Sequence, residues 1–273
     1  MQGSPATRDF RLSYSRLQSF KNCKAQYRFH YLDKLPEEGT SIEAYLGRRL
    51  HEVLEWLYAP GEGSPKPAFD AVLGRFRRLW AQHWDDKIMI ARSGWVTADY
   101  YQLGQRALAA YYRRHAPFDE PVEAVEQKIS FTLEGAPHLA VVAIIDRLDR
   151  EAPGHWVIND YKSGKRMLTE AKSRNDMQMQ IYFLALHAHH EGIRRIDVIW
   201  HYLQHNQQVA LTDVQWNPER LTGALIRKGN ALIEAENDPD GLAPTESPLC
   251  GWCHYWHVCP AKVGQTHPAR RAD

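Results

Sequence analysis

A chain of 273 residues with 44% apolar residues can bury a substantial core, and a net charge of +1 excludes binding to polyanions through bulk positive charge. No run approaches the roughly 20 apolar residues that span a bilayer, and the opening MQGSPATRDF lacks the apolar core of a signal peptide, so a cytoplasmic protein with no membrane partner is expected. Four cysteines, three of them within CGWCHYWHVC, are too few and too clustered for a disulfide framework and point to metal or reactive thiols.

In chain order, LSYSRLQSFKNCKAQYRFHYL predicts a helix beginning near Ser13 or Ser15 with Cys23 inside it. EAYLGRRLHEVLEWLY predicts a second, whose stripe of Leu46, Leu50, Val53, Leu54 and Leu57 is flanked by Gly47, His51 and Glu55 at four-residue steps. PGEGSPKP breaks the chain, and residues 68–115 read as helical, a helical insertion over about 61–118. From residue 121 the character turns to strands: VEAVEQKISFTL, LAVVAIIDRLDRE and HWVINDYKSGK. A helix over about 169–190 ended by Gly192 follows, then a hairpin of RIDVIWHYL and QQVALTDV, then a helix capped by Asn217 with Pro218 in its first turn. The cysteine loop and a polar tail over 261–273 complete the chain. This order predicts an α/β fold with a central mixed sheet flanked by helices, rather than a doubly wound sheet.

Folding the strand pair about Pro153 and Gly154 sets Asp146 opposite Asp160, and the pleat points Asp160 and Lys162 to one face. Two carboxylates beside an ammonium suit Mg²⁺ or Mn²⁺ and fit phosphodiester hydrolysis, with Lys162 orienting or deprotonating a water. Ordinary strand-end ion pairs, Asp146 with Arg147 or Arg150 and Asp160 with Lys162, are the competing account. The basic run Lys165, Arg166, Lys172 and Arg174 is the candidate nucleic-acid surface, or else a solvated loop and helix start.

IIDRLDR, VINDYKSGK and QMQIYFLAL resemble the core of the PD-(D/E)xK nucleases, specifically their RecB-like branch, with a likeness running from about Ser13 to Pro260. The resemblance implies a restriction-endonuclease-like core, one domain over 1–260. It also implies metal ligation by His51 of a Gly-x-x-x-His motif with Gly47, by Asp146 and Asp160, and by the backbone carbonyl of Tyr161. Lys162 would be catalytic, Gln178 of a Gln-x-x-x-Tyr motif would orient the lysine or the DNA, and Tyr182 would support it. Ala143 stands where many relatives carry Gly, a departure that touches strand packing rather than side-chain chemistry.

Cys250, Cys253 and Cys259 stand as C-x₂-C-x₅-C, and Cys23 is the one other cysteine that can complete a four-thiolate set. One early and three late cysteines are similar to the RecB-like subgroup that carries a 4Fe-4S cluster, including AddB-type helicase-nuclease subunits and CRISPR-associated iron-sulfur exonucleases. Either a cluster or zinc would tie the first helix to the C-terminal loop, and His254 and His257 keep a mixed-ligand zinc site open. Trp252, Tyr255 and Trp256 are expected to pack around that site.

The resemblance implies single-stranded DNA or DNA ends as substrate, in repair, recombination or CRISPR adaptation. No G-x-x-x-x-G-K-[ST] motif is present, so opening duplex ends falls to a partner such as a helicase. A non-catalytic DNA-binding subunit and an RNA nuclease are the alternatives.

Overall fold

The computed structural model describes residues 10–59 and 65–272. Residues 60–64, in the sequence break that opens the insertion, lie outside the described residues.

The helices are α1 (Tyr14–Asn22), α2 (Lys24–Tyr27), α3 (Ile42–Tyr58), α4 (Phe69–Gln82), α5 (Thr97–His115), α6 (Glu170–Ser173), α7 (Met177–His189) and α8 (Pro218–Glu236). The strands are β1 (Phe10–Leu12), β2 (Thr40–Ser41), β3 (Ile88–Ile90), β4 (Val122–Leu133), β5 (Ala136–Ala152), β6 (His155–Lys162), β7 (Arg195–Tyr202), β8 (Gln207–Leu211) and β9 (Arg270–Arg271). Six of them form the expected mixed sheet, in the order β1-β5-β6-β7-β8 with β4 along the other side of β5. β6 and β7 run parallel, while β5 is antiparallel to both β4 and β6.

β5 is long enough to take different partners along one edge. Leu139 to Val141 pair with β1, and pairing with β6 begins only at Arg147. Between them, residues 142–146 have no ladder partner on that edge, and Asp146 sits at the end of this gap. The register of Arg147 opposite Asn159, extended by one residue, matches the expected facing of Asp146 and Asp160.

Two apolar clusters pack the molecule. One joins the sheet to Leu17 of α1, to α7 and to Leu225 and Leu232 of α8. The other joins α3, α4 and α5 to Tyr161 of β6 and to Leu203. Alternation along β6 therefore sends Trp156 and Ile158 to the first cluster and Tyr161 to the second.

Several local expectations are revised. Ser13 does cap α1, accepting from the Arg16 N–H, but Cys23 is not inside a helix. Its extended backbone (φ −161°, ψ 119°) separates α1 from α2, and its sulfur accepts from the Thr245 N–H. The stretch read as helical over 68–115 contains β3, which pairs with β2 and with β9 from the polar tail, a long-range partner that no local pattern reveals. The helix expected over 169–190 is two, because the Asp176 carboxylate caps α7 anew by accepting from Gln178 and Met179 N–H groups. That helix is followed at once by His190 in extended conformation, and Gly192 (φ +66°) serves the turn beyond. Asn217 caps α8 as expected.

Candidate active site

Four elements meet at the gap in β5. α3 approaches the end of β6 closely at Gly47, where an added Cβ would lie 2.7 Å from Ser163 Oγ. A glycine is what permits that approach, and His51, one turn later, consequently reaches β6. Its Nε2–H donates to the Tyr161 carbonyl at 3.0 Å.

Asp146 is 8% exposed, and where a ladder bond would otherwise form, its Oδ2 accepts the Tyr161 N–H at 2.7 Å. His51 Nδ1 lies 3.6 Å from Asp146 Oδ1 and 3.8 Å from Glu126 Oε1. Ligand atoms of His51, Glu126 and Asp146 all lie within 4.8 Å of one another, a carboxylate and imidazole set able to hold a divalent metal. Asp160, 1% exposed, stands beside that set with its Oδ2 2.7 Å from the Lys162 ammonium. Lys162 in turn donates to Gln178 Oε1 at 2.7 Å, and Gln178 Nε2 donates to the Tyr182 hydroxyl at 2.7 Å. α7 thus presents Gln178 and Tyr182, four residues apart, to the end of β6.

The electrostatics are those of a site that wants a cation. Burial and then the Asp160 charge push the Asp146 carboxyl up to about 7, although His51 and the Tyr161 N–H oppose the shift. Burial would lower His51, but the neighbouring Glu126, Asp146 and Asp160 carboxylates outweigh it and raise the imidazole to about 9. Burial would also lower Lys162, and Asp160 more than compensates, so its side chain stays an ammonium at neutral pH.

His51, Asp146, Asp160, Tyr161, Lys162, Gln178 and Tyr182 therefore come together. The ion-pair account holds for Asp160 with Lys162 but not for Asp146. Arg147 points to the opposite side of the sheet, where it contacts Asp149 and donates to Asn159 Oδ1 at 3.0 Å beneath the Tyr58 ring. Lys165 lies over the Trp95 ring and Arg174 pairs with Glu170, while Arg166 and Lys172 are exposed. Glu126 was missed in the sequence because it is one of several glutamates in and before β4; its left-handed backbone (φ +45°) is visible only in the fold.

The four cysteines are partly buried, and all four line one cavity between α1, α2 and the C-terminal turns. Among the described residues no three of their sulfurs lie within 4.8 Å of one another. Burial and then the charges of the other three thiols raise Cys253, with only a backbone N–H opposing. Tyr255 is buried beside Phe29, Trp256 lines the cavity, and Trp252 reaches out to Glu43.

No helix among the described residues is long and apolar enough to cross a membrane. No functionally curated protein matches the chain. Among solved structures, the crystal structure of a "Putative exonuclease" from Eubacterium rectale aligns over 94% of this chain and 90% of its own, with a TM-score of 0.51 and 13% identity, a likeness of fold. That of SSO0001 aligns over 95% and 90%, with 14% identity and a TM-score of 0.39. The sequence model of the PD-(D/E)XK nuclease superfamily matches residues 11–260, almost the whole described chain, and the chain belongs to that superfamily.

Proposed function

We propose that this protein is a divalent-metal-dependent deoxyribonuclease of the RecB-like branch that degrades single-stranded DNA from an end and carries a structural 4Fe-4S cluster. The catalytic reading rests on one observation, the bonded chain that runs from Asp160 through Lys162 and Gln178 to Tyr182 beside the Asp146–Tyr161–His51 set. Isolated strand-end ion pairs would not recruit a glutamine and a tyrosine from another helix.

His51, Asp146, Asp160 and the Tyr161 carbonyl would hold Mg²⁺ or Mn²⁺, with Glu126 as a further carboxylate on the His51 side. When bound, such an ion polarises a phosphoryl oxygen and lowers the pKa of the attacking water. Lys162, kept as an ammonium by Asp160, balances charge on the phosphoryl oxygens and orients the water rather than taking its proton. Gln178 fixes the lysine, and Tyr182 fixes Gln178.

The cluster reading rests on the resemblance to the four-cysteine subgroup and on Cys23, Cys250, Cys253 and Cys259 lining one cavity. Peptide N–H groups of Thr245 and Ser247 also point at the sulfurs of Cys23 and Cys250, at 3.4 and 3.5 Å, the kind of contact that tunes iron-sulfur centres. A helicase or CRISPR adaptation proteins are the partner classes that fit a nuclease without its own ATP-driven motor, in repair, recombination or adaptation.

The test is cleavage of end-labelled linear and circular single-stranded DNA with Mg²⁺ or Mn²⁺, comparing the wild type with a folded Asp160→Ala variant. Metal-dependent loss of linear but not circular DNA, abolished by the substitution, is expected. Binding without cleavage would put the non-catalytic subunit in its place. Anaerobic purification followed by a visible spectrum and iron and sulfide analysis tests the cluster, and colourless protein with stoichiometric zinc would overturn it.

A further inference from the structure

A groove of about 570 Å³ opens beside Gln178 and Tyr182, floored by Val142, Ala143 and Ile144 in the gap where β5 has no partner between β1 and β6. Among the described residues three cations, Arg11, Arg16 and Lys128, line it, and no acidic side chain does. Arg16 is neutralised by Glu236 at 2.5 Å. Arg11 and Lys128 are exposed and have no ion-pair or hydrogen-bond partner for their side chains among the described residues. In a protein of net charge +1 whose neighbouring site is strongly acidic, this is a local reversal of sign.

Aromatic and apolar side chains share that lining. Tyr14 and Tyr31 line the groove, and Ile144, directly across the ladder from Lys128, is 45% exposed. The Tyr14 hydroxyl has no hydrogen-bond partner among the described residues. After burial, the charges that act on it most are those of Asp176, Lys162 and Asp160, which puts it at the edge of the catalytic corner.

The geometry points to this groove as the binding track of a single nucleic-acid strand leading to the carboxylates, with Arg11 and Lys128 on its phosphates and Tyr14 stacked on a base. This rests on the nuclease reading of the adjacent site, and it assigns the single strand proposed there to named residues of the groove. A duplex offers its bases only in the grooves and presents phosphates outward, so tyrosines and an exposed isoleucine on the floor have nothing to meet. An unpaired strand brings both a phosphate line and free base faces, the combination that cations interleaved with aromatics recognise.

The test is fluorescence anisotropy with a labelled oligothymidylate and a blunt duplex across a salt series. Ca²⁺ replaces Mg²⁺, and the recovered strand is checked for integrity. Arg11→Glu combined with Lys128→Glu should weaken single-strand binding at least tenfold and flatten the slope of log affinity against log salt by about 1.4, roughly 0.7 for each lost phosphate contact. Tyr14→Ala should weaken it roughly 5- to 150-fold, and Tyr14→Phe, which keeps the ring, should bind like wild type. Circular dichroism melting checks that each variant is folded.

Wild-type affinity and salt slope in the double variant would overturn the groove assignment, as would equal loss on the duplex or failure of the wild type to bind the single strand. A wild type that binds through the groove but cuts nothing with Mg²⁺ or Mn²⁺ would refute the nuclease reading and leave the groove standing.

Discussion

The catalytic corner and the cysteine cavity both gather their polar atoms from distant parts of the chain, yet they are held in different ways. In the corner, β-ladder register, one glycine contact and a series of 2.7–3.0 Å hydrogen bonds place every group before any ligand arrives. In the cavity, three of the thiols come from the region of the 3₁₀ turns Pro248–Trp252 and Trp256–Val258, and Cys23 from a break between helices. Their support is backbone N–H contacts to sulfur, from Thr245 to Cys23, Ser247 to Cys250, Tyr255 to Cys253 and Ala261 to Cys259. A preorganised site can lose its metal and keep its shape, whereas a site assembled from turns takes its order from what it binds.

Five experiments probe that contrast. The largest expected effect follows from the proposed cluster: Cys23→Ser should remove its tie across the long loop to Cys250, worth roughly 5 kcal/mol on a loop-entropy argument and on the order of 10 °C in melting temperature. An unchanged melting curve would show that the cavity needs no bound group. Asp160→Ala should do the converse, cutting DNA cleavage on the order of 10³-fold, about 4 kcal/mol of barrier, while chemical denaturation shows a fold at least as stable as wild type. If stability collapses with activity, the corner is structural as well as catalytic.

Arg147→Ala tests the back of the same sheet. It strands the buried Asp149 carboxylate beside Asn159 and should cost about 3–4 kcal/mol in urea unfolding; a loss under 1 kcal/mol would mean that the network is incidental. Gln178→Ala should lower kcat roughly 10- to 100-fold with little change in stability, because it releases Lys162 without removing it.

The smallest effect, taken per pH unit, is on metal affinity. A cation must displace the proton that His51 holds up to about 9 and, lower down, the one that Asp146 holds up to about 7. Mn²⁺ binding by calorimetry should therefore tighten by about tenfold per pH unit between 7 and 9, more steeply below 7, and level off above 9. Affinity independent of pH across that range would mean that His51 is not a ligand.

Much of the corner was legible before the fold. Asp160 and Lys162 share a face through strand alternation, Gln178 and Tyr182 through helical spacing, and the Pro153–Gly154 turn counts Asp146 into place. Glu126 and Tyr14 were not, since nothing in a strand's glutamates or a capped helix's first tyrosine marks proximity to residues far along the chain. The basic run stands out by composition, with Lys165 over the Trp95 ring and Arg174 beside Glu170, whereas the groove cations that have no partner among the described residues are single residues, Arg11 and Lys128, in separate strands.

What the sequence determined by itself was the identity and local phase of each element, because periods of 2 and 3.6 residues and end-capping side chains act over a few positions. What only the tertiary structure decided was where strands stop pairing: the gap in β5 that frees Asp146 and floors the groove, and the pairing of β3 with β9. Those depend on β1 reaching β5 and β9 reaching β3, segments more than a hundred residues apart, whose geometry is set by packing over the whole sheet and not by any neighbour in the chain.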